Sequence, residues 1–211
     1  MNVKLLTSTQ SIQDMENFAA LAALTCHANT DKMSNEEYKP SDTLKNIINA
    51  GHESILEHIN LTFSVKGLSR ACLQELARHR HISLSVESTR HTLRKYYDEG
   101  GIVSNINDFS RDFIIEDFGV LGFKQFLSNA LGSLIANHDM PNDELKYYLP
   151  EFWQTNLIIT LNIREFRHIL KLRTAPAALK EFRVLARSMF LEVPEQFKYL
   201  LQDCVHEEVQ P

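Results

Sequence analysis

Three arginines, two histidines and four hydroxyl side chains fall within thirteen consecutive positions, Arg78-His79-Arg80-His81-Ile82-Ser83-Leu84-Ser85-Val86-Glu87-Ser88-Thr89-Arg90. A guanidinium fork grips phosphate or carboxylate through two parallel hydrogen bonds, and hydroxyls complete such a cradle with little bulk. A solvated helix end is the bland explanation of any basic stretch. Here the hydroxyl spacing and a second basic segment opening at Asn162-Ile163-Arg164 favour an anion site. Leu76–Tyr97 carries five Lys/Arg against Glu87, and Asn162–Arg187 carries seven against Glu165 and Glu181. The rest of a chain of net charge −5 is therefore at −14. An acidic body holds polynucleotides poorly, whereas two concentrated basic segments suit a compact anion.

Other catalytic arrangements are poorly supported. The histidines of Gly51-His52-Glu53-Ser54-Ile55-Leu56-Glu57-His58 stand six apart, off the four-residue spacing that puts two zinc ligands on one helix face, so no metal site is expected. Cys26, Cys72 and Cys204 lack a basic partner at useful spacing and read as core or surface residues. No Gly-x-Ser-x-Gly elbow is present for a serine hydrolase.

The elements that must position these residues follow from periodicity. Val3 to Leu6 reads as a short strand, and Ser11 to Cys26 as a helix with Ile12, Met15, Phe18, Ala19 and Ala22 on one side. Pro40-Ser41-Asp42 opens a second helix that Gly51 stops. Ile59 to Lys66 alternates strictly and reads as a strand ended by Gly67. Ser69 to His79 reads as a helix carrying Arg70, Gln74 and Arg78 on one face. Helices are further expected over Gly119 to Asn137, Ile163 to Leu172, Ala177 to Leu191 and Glu195 to Cys204, with a strand over Thr155 to Leu161 and a turn at Glu99-Gly100-Gly101. The expected fold is α+β, a helix-rich single domain, 1–211, around a small sheet. No Gly-rich turn links a strand to a helix, which excludes a Rossmann unit and a P-loop.

Composition agrees. At 211 residues, 44% apolar and 23% charged, the chain is globular and long enough to need no disulfide staple. Three cysteines suit a reducing compartment, here the cytoplasm. No apolar run approaches the roughly 20 residues of a membrane span, and Met1 to Leu6 lacks the features of a signal peptide.

Taken together, these residues carry a family resemblance. Arg78-His79-Arg80, seven further residues and then Ser88, continuing to Arg90, resemble the signature of flavin-dependent thymidylate synthases. Gly67 to Ala77 is similar to the branch of that family found in epsilon-class bacteria. Gly51-His52-Glu53 with Glu57-His58, Leu149-Pro150, Leu161 to Arg164, Leu172-Arg173 and Ala178 to Arg183 resemble further blocks in order and spacing, over about residues 45 to 200. Lys146 stands where many members have arginine, His91 where they have tyrosine, and Glu87 one place later than usual.

The resemblance implies that family's fold and a cytoplasmic homotetramer with active sites where subunits meet. It implies methylation of dUMP to dTMP, with 5,10-methylenetetrahydrofolate as carbon donor and NADPH-reduced FAD as hydride source, and no attacking cysteine. Carried over residue by residue, His52, Ser54, Arg78, His79, Arg80, Asn162, Ile163, Arg164 and His168 are expected at FAD. Gln74, Glu75, Arg78, Glu87, Ser88, Thr89, Arg90, Lys146 and Arg173 are expected at dUMP, with Arg173 catalytic because it favours ionisation of the uracil N3. The competing expectations are an inactive homologue that binds nucleotide or flavin, and a nucleic-acid-binding module built on the basic segments. The second is opposed by the overall acidity and by the lack of stacking aromatics between Arg78 and Arg90.

Overall fold

Strict alternation through Lys66 underlies Asn60–Ser69, the longest of the four described strands, and in the computed structural model Leu61, Phe63 and Val65 are each at most 1% exposed. The structure describes residues 1–98, 126, 129–130, 132–133 and 141–207. In chain order the described strands are β1 (Asn2–Leu5), β2 (Asn60–Ser69), β3 (Ile82–Val86) and β4 (Gln154–Asn162), arranged in one sheet as β1-β2-β4-β3. The described helices are α1 (Thr9–Cys26), α2 (Pro40–Asn49), α3 (Arg70–Leu76), α4 (Thr89–Asp98), α5 (Asn142–Leu145), α6 (Ile163–Arg173) and α7 (Lys180–Glu192). Hydrogen bonds link Ile163 to Ile59, Thr160 to Thr62 and Asn156 to Gly67, so β2 and β4 run antiparallel.

The chain folds as two compact units. The larger holds residues 3–64, 77–84 and 158–211, and the smaller holds 1–2, 65–76 and 85–157. Each of the four strands contributes residues to both.

In the larger unit Phe63 of β2 meets Phe166 of α6 edge-on, with centroids 5.7 Å apart and planes at 70°. Burying each ring contributes about 2–3 kcal/mol. The Ser8 hydroxyl caps α1 by accepting from the Ser11 N–H at 3.1 Å. The buried stripe of α1 runs through Ile12, Glu16, Ala19, Ala20, Ala23 and Leu24. Phe18, expected inside, lies off that stripe and is 64% exposed. Glycine ends α2 as expected: Gly51 has φ +73°, its N–H bonds Ile48 O, and the His52 N–H reaches back to Ile47 O.

Several boundaries differ from expectation. β2 does not stop at Gly67 but passes through it to Ser69. Gly67 adopts φ +75°, and a Cβ there would come within 3.2 Å of Gln154 Oε1. α3 starts at Arg70, where the Ser69 hydroxyl accepts from the Cys72 N–H at 3.0 Å, and ends at Leu76, so Arg78 is not on its face. β3 is an addition to the expected elements: Ile82-Ser83-Leu84-Ser85-Val86 alternates, and its serines equally suit an anion cradle. α7 begins at Lys180 rather than Ala177, and Glu195–Leu200 and Gln202–Cys204 are 3-10 turns rather than one helix. The helix over Gly119 to Asn137 lies outside the described residues, apart from residues 126, 129–130 and 132–133, which are helical. The turn at Glu99-Gly100-Gly101 also lies outside them.

Candidate functional site

Within the larger unit the residues expected at FAD come from three separate chain segments. His52 and Ser54 are exposed around the 3-10 turn Glu53–His58 and line a second cleft bounded by α1 and α2. Arg78 and Arg80 are exposed on the stretch leading into β3, and His79 between them is buried. Asn162, Ile163, Arg164 and His168 sit where β4 turns into α6. Asn162 is the N-cap, its Oδ1 accepting from the Glu165 N–H at 2.8 Å. Ile163 is buried, and its N–H bonds Ile59 O at 2.8 Å.

A cleft of about 490 Å³ opens beside this helix start, lined by Asn162, Arg164, Glu165, His168, His81 and Lys171 together with Glu53 and Glu57. That size is ordinary for a cofactor or nucleotide pocket. Its cations are already engaged: Arg164 Nη1 bonds Glu57 Oε1 at 2.5 Å, and Lys171 Nζ lies 3.4 Å from Glu53 Oε1. Arg164 and Glu57 are each about half exposed, so the pair holds weakly and an incoming diphosphate can take over the guanidinium. Asn162, Arg164 and Lys171 can donate to an anionic dinucleotide once it displaces Glu57 and Glu53 from the two cations.

A chain of polar groups joins the cleft lining at Glu165 and His168. His79 Nδ1 is 3.1 Å from Glu165 Oε1, and Arg173 Nε donates to His79 Nε2 at 3.1 Å. His79 and Glu165 are 6% and 8% exposed. The His79 ring stands edge-on to His168 at 5.7 Å and to Phe182 at 5.8 Å. Phe182 also carries the Arg173 guanidinium over its face at 4.7 Å. Burial lowers the His79 pKa below its ordinary value and the Arg173 charge lowers it further, against the opposing hydrogen bond that His79 donates to Glu165.

A buried cation anchors the Glu53–His58 turn. Arg167, 2% exposed, donates to Glu53 Oε1 at 3.0 Å, to Leu200 O at 2.6 Å and to both Asp203 oxygens at 2.6 Å. Cys204, beside Asp203, has its thiol pushed up to about 11 by burial. Cys72 is buried and Cys26 exposed.

Most residues expected at dUMP belong to the smaller unit. Gln74 Nε2 donates to both Glu151 oxygens, and Glu75 follows it on α3. Glu87 accepts from Asn156 Nδ2 at 2.6 Å, and its N–H bonds Asn156 O at 2.8 Å. Ser88 accepts from the His91 and Thr92 N–H groups of α4 through its carbonyl, and Thr89 is buried at the helix start. Arg90 is exposed and clamps Asp143 two-pronged, through Nε to Oδ1 and Nη2 to Oδ2, the latter at 2.8 Å. Asn142 Nδ2 donates to Arg90 O at 2.7 Å. Lys146 Nζ lies 5.3 Å over the Tyr147 ring. Arg78 and Arg173, also expected at dUMP, lie in the larger unit.

Sequence reasoning missed Glu165, Lys171 and Asp143, and it gave His81 no role beyond membership of the Arg78–Arg90 run. Glu165 was hidden by its setting, because Asn162-x-x-Glu165 reads as a capping box whose glutamate turns back on its own helix. Among the described residues no cluster of His, Cys, Asp and Glu is suited to a metal, and no helix is long and apolar enough to cross a membrane.

Comparison with known proteins gives a consistent result. A family described as "Thymidylate synthase complementing protein" matches residues 4–197. The chain is 35% identical over 195 residues to the flavin-dependent thymidylate synthase of Helicobacter pylori strain J99, covering 90% of this chain and 94% of that one. It is 38% identical over 165 residues to the enzyme of the same name from Campylobacter jejuni strain RM1221, covering 75% and 77%. A crystal structure of the Helicobacter pylori flavin-dependent thymidylate synthase ThyX complexed with FAD and dUMP superposes with a TM-score of 0.78 at 31% identity, covering 98% of this chain and all of that one.

Proposed function

The chain belongs to the family of flavin-dependent thymidylate synthases, and from that membership we propose how its residues divide the work. The reaction is reductive methylation of dUMP to dTMP. Bound FAD, reduced by NADPH, supplies the hydride that completes the methyl group, and 5,10-methylenetetrahydrofolate supplies the carbon. An inactive homologue finds no support.

The observation that carries the assignment is the polar cleft lined by His81, Asn162, Arg164 and His168, from two distant segments of one compact unit that also holds His79 and Arg80. Arg78, Arg80, Arg164, Asn162 and His168 bind FAD there, with His52 and Ser54 toward the ring system. Ile163 joins them through its place in the helix start, and His79 through its place in the Arg78-His79-Arg80 triplet. Ser88, Thr89 and Arg90 hold the dUMP phosphate, assisted by Lys146 and Arg78, and Gln74, Glu75 and Glu87 position the nucleoside. Arg173 is catalytic: a fixed guanidinium beside N3 and O4 stabilises the uracil anion and enriches C5 in electrons. The enzyme works as a cytoplasmic homotetramer with active sites where subunits meet. The single-domain organisation is supported by the four strands, each of which has residues in both units.

The test is spectroscopic. Purified protein with FAD added should show a flavin band that NADPH bleaches under anaerobic conditions with dUMP present, and methylenetetrahydrofolate should then yield dTMP. Protein that neither carries FAD nor takes it up overturns the assignment.

A further inference from the structure

We propose that Glu165 is a positioning residue for Arg173, acting through a single fixed tautomer of His79. A guanidinium N–H can only donate, so the 3.1 Å contact from Arg173 Nε makes His79 Nε2 an acceptor without a proton. The ring proton of the neutral imidazole is then on Nδ1, which lies 3.1 Å from Glu165 Oε1. The carboxylate holds that proton in place, and the lone pair on Nε2 holds the arginine. The three side chains form a directional line from a buried acceptor to the residue assigned to the uracil.

Helix geometry supports this use of Glu165. It occupies the third helical position of α6 after the Asn162 cap, from which a glutamate ordinarily reaches back to the cap N–H; its carboxylate engages His79 instead, 86 residues away in sequence. Arg173 is the last residue of the same helix, so His79 bridges two points on one rigid element. The groups facing the imidazole are Glu165, His168 and Arg173 from α6 and Phe182 from α7. Phe182 carries the guanidinium over its ring face at 4.7 Å, and His79 Nε2 accepts the Nε–H in a defined direction. Holding a long side chain in the productive orientation before substrate arrives is worth orders of magnitude when lost by about 1 Å.

This role rests on Arg173 acting at the uracil, and the experiment separates the two. FAD-loaded full-length protein and its Glu165→Ala, Glu165→Gln and Arg173→Ala variants are compared for kcat, dUMP KM and flavin absorbance. Selectively 15N-histidine-labelled, flavin-free protein reports the His79 tautomer by long-range imidazole correlation, with His79→Gln assigning the signal. Wild-type His79 should be the neutral Nδ1–H form. Glu165→Ala should lose that tautomer and about tenfold in kcat, with KM and flavin retained. Glu165→Gln, whose amide oxygen still accepts from Nδ1–H, should restore both. Wild-type His79 protonated on Nε2, or Glu165→Ala with unchanged tautomer and kcat, overturns the proposal. If Glu165→Ala fails to fold, a Glu165→Gln protein without the Nδ1–H form and no slower than wild type overturns it equally. Full activity in Arg173→Ala removes the catalytic assignment of Arg173 instead, and the tautomer data still decide the linkage.

Discussion

The two units hold their key arginines in opposite ways. In the larger unit Arg167 is 2% exposed and donates to a carbonyl and to the carboxylates of Glu53 and Asp203, while the half-buried Arg173 donates to a buried imidazole and lies over an aromatic face. In the smaller unit Arg90 and Asp143 form a two-pronged pair with side chains 60% and 50% exposed. A buried cation is oriented by its surroundings and cannot change partners cheaply. An exposed pair contributes about 0–1 kcal/mol and exchanges readily. The difference matches the jobs proposed for them. Arg173 must keep one direction through the reaction, whereas Arg90 must leave a resident carboxylate for an arriving phosphate and return to it afterwards.

The comparison breaks most visibly at Arg167. Arg167→Ala should destabilise the fold by about 3 kcal/mol, because a buried charged stem is lost and Leu200 O is left unpaired. A calorimetric scan should show the transition fall by on the order of 10 °C; a fall under about 2 °C would remove the distinction between buried and exposed arginines. Arg90→Ala should be silent in that scan yet raise the dUMP KM about 10- to 100-fold, the loss expected when a charge-assisted fork to phosphate is removed. An unchanged KM would take Arg90 out of the phosphate site.

Acid sharpens the same contrast. The His79 pKa is lowered in the folded state, chiefly by burial, so its stabilising contribution is whole above about pH 6.5, where the unfolded histidine is also neutral. As pH falls from there through the folded value, the unfolded chain binds a proton that the native ring resists, and stability drops. Urea midpoints at pH 7.5 and 5.5 should therefore separate further for wild type than for His79→Gln; equal separations would deny His79 its neutral role. The smallest effect belongs to Asp143→Asn, which should leave stability within about 0.5 kcal/mol and lower the dUMP KM a few-fold by removing the competitor for Arg90. A raised KM would mean that Asp143 orients Arg90 rather than occupying it.

Much of this arrangement was legible in the sequence for local reasons. β2 announces itself by alternation, α2 by its proline start and glycine stop, and α6 by Asn162, all properties of a few adjacent residues. What escaped depended on distant partners. Phe18 has helical spacing with Ile12 and Met15, yet the stripe that packs is set by the alanines. β3 was concealed because its serines also suit an anion cradle. Glu165 satisfies a local capping rule so well that nothing in its neighbourhood pointed to His79. Asp143 carries no motif, and only the folded smaller unit brings it to Arg90.

α6 also constrains how such a chain can change length. Arg173 lies eight positions after Glu165, and each residue of an α-helix advances the side-chain direction by about 100° and the axis by about 1.5 Å. A single insertion or deletion between them would swing Arg173 roughly a quarter-turn away from His79 while leaving every individual residue type intact. Substitutions can accumulate along the exposed side of this helix, but indels cannot. A library of one-residue insertions scanned across the chain and selected for thymidine-independent growth should show a sharp dead zone from Glu165 to Arg173.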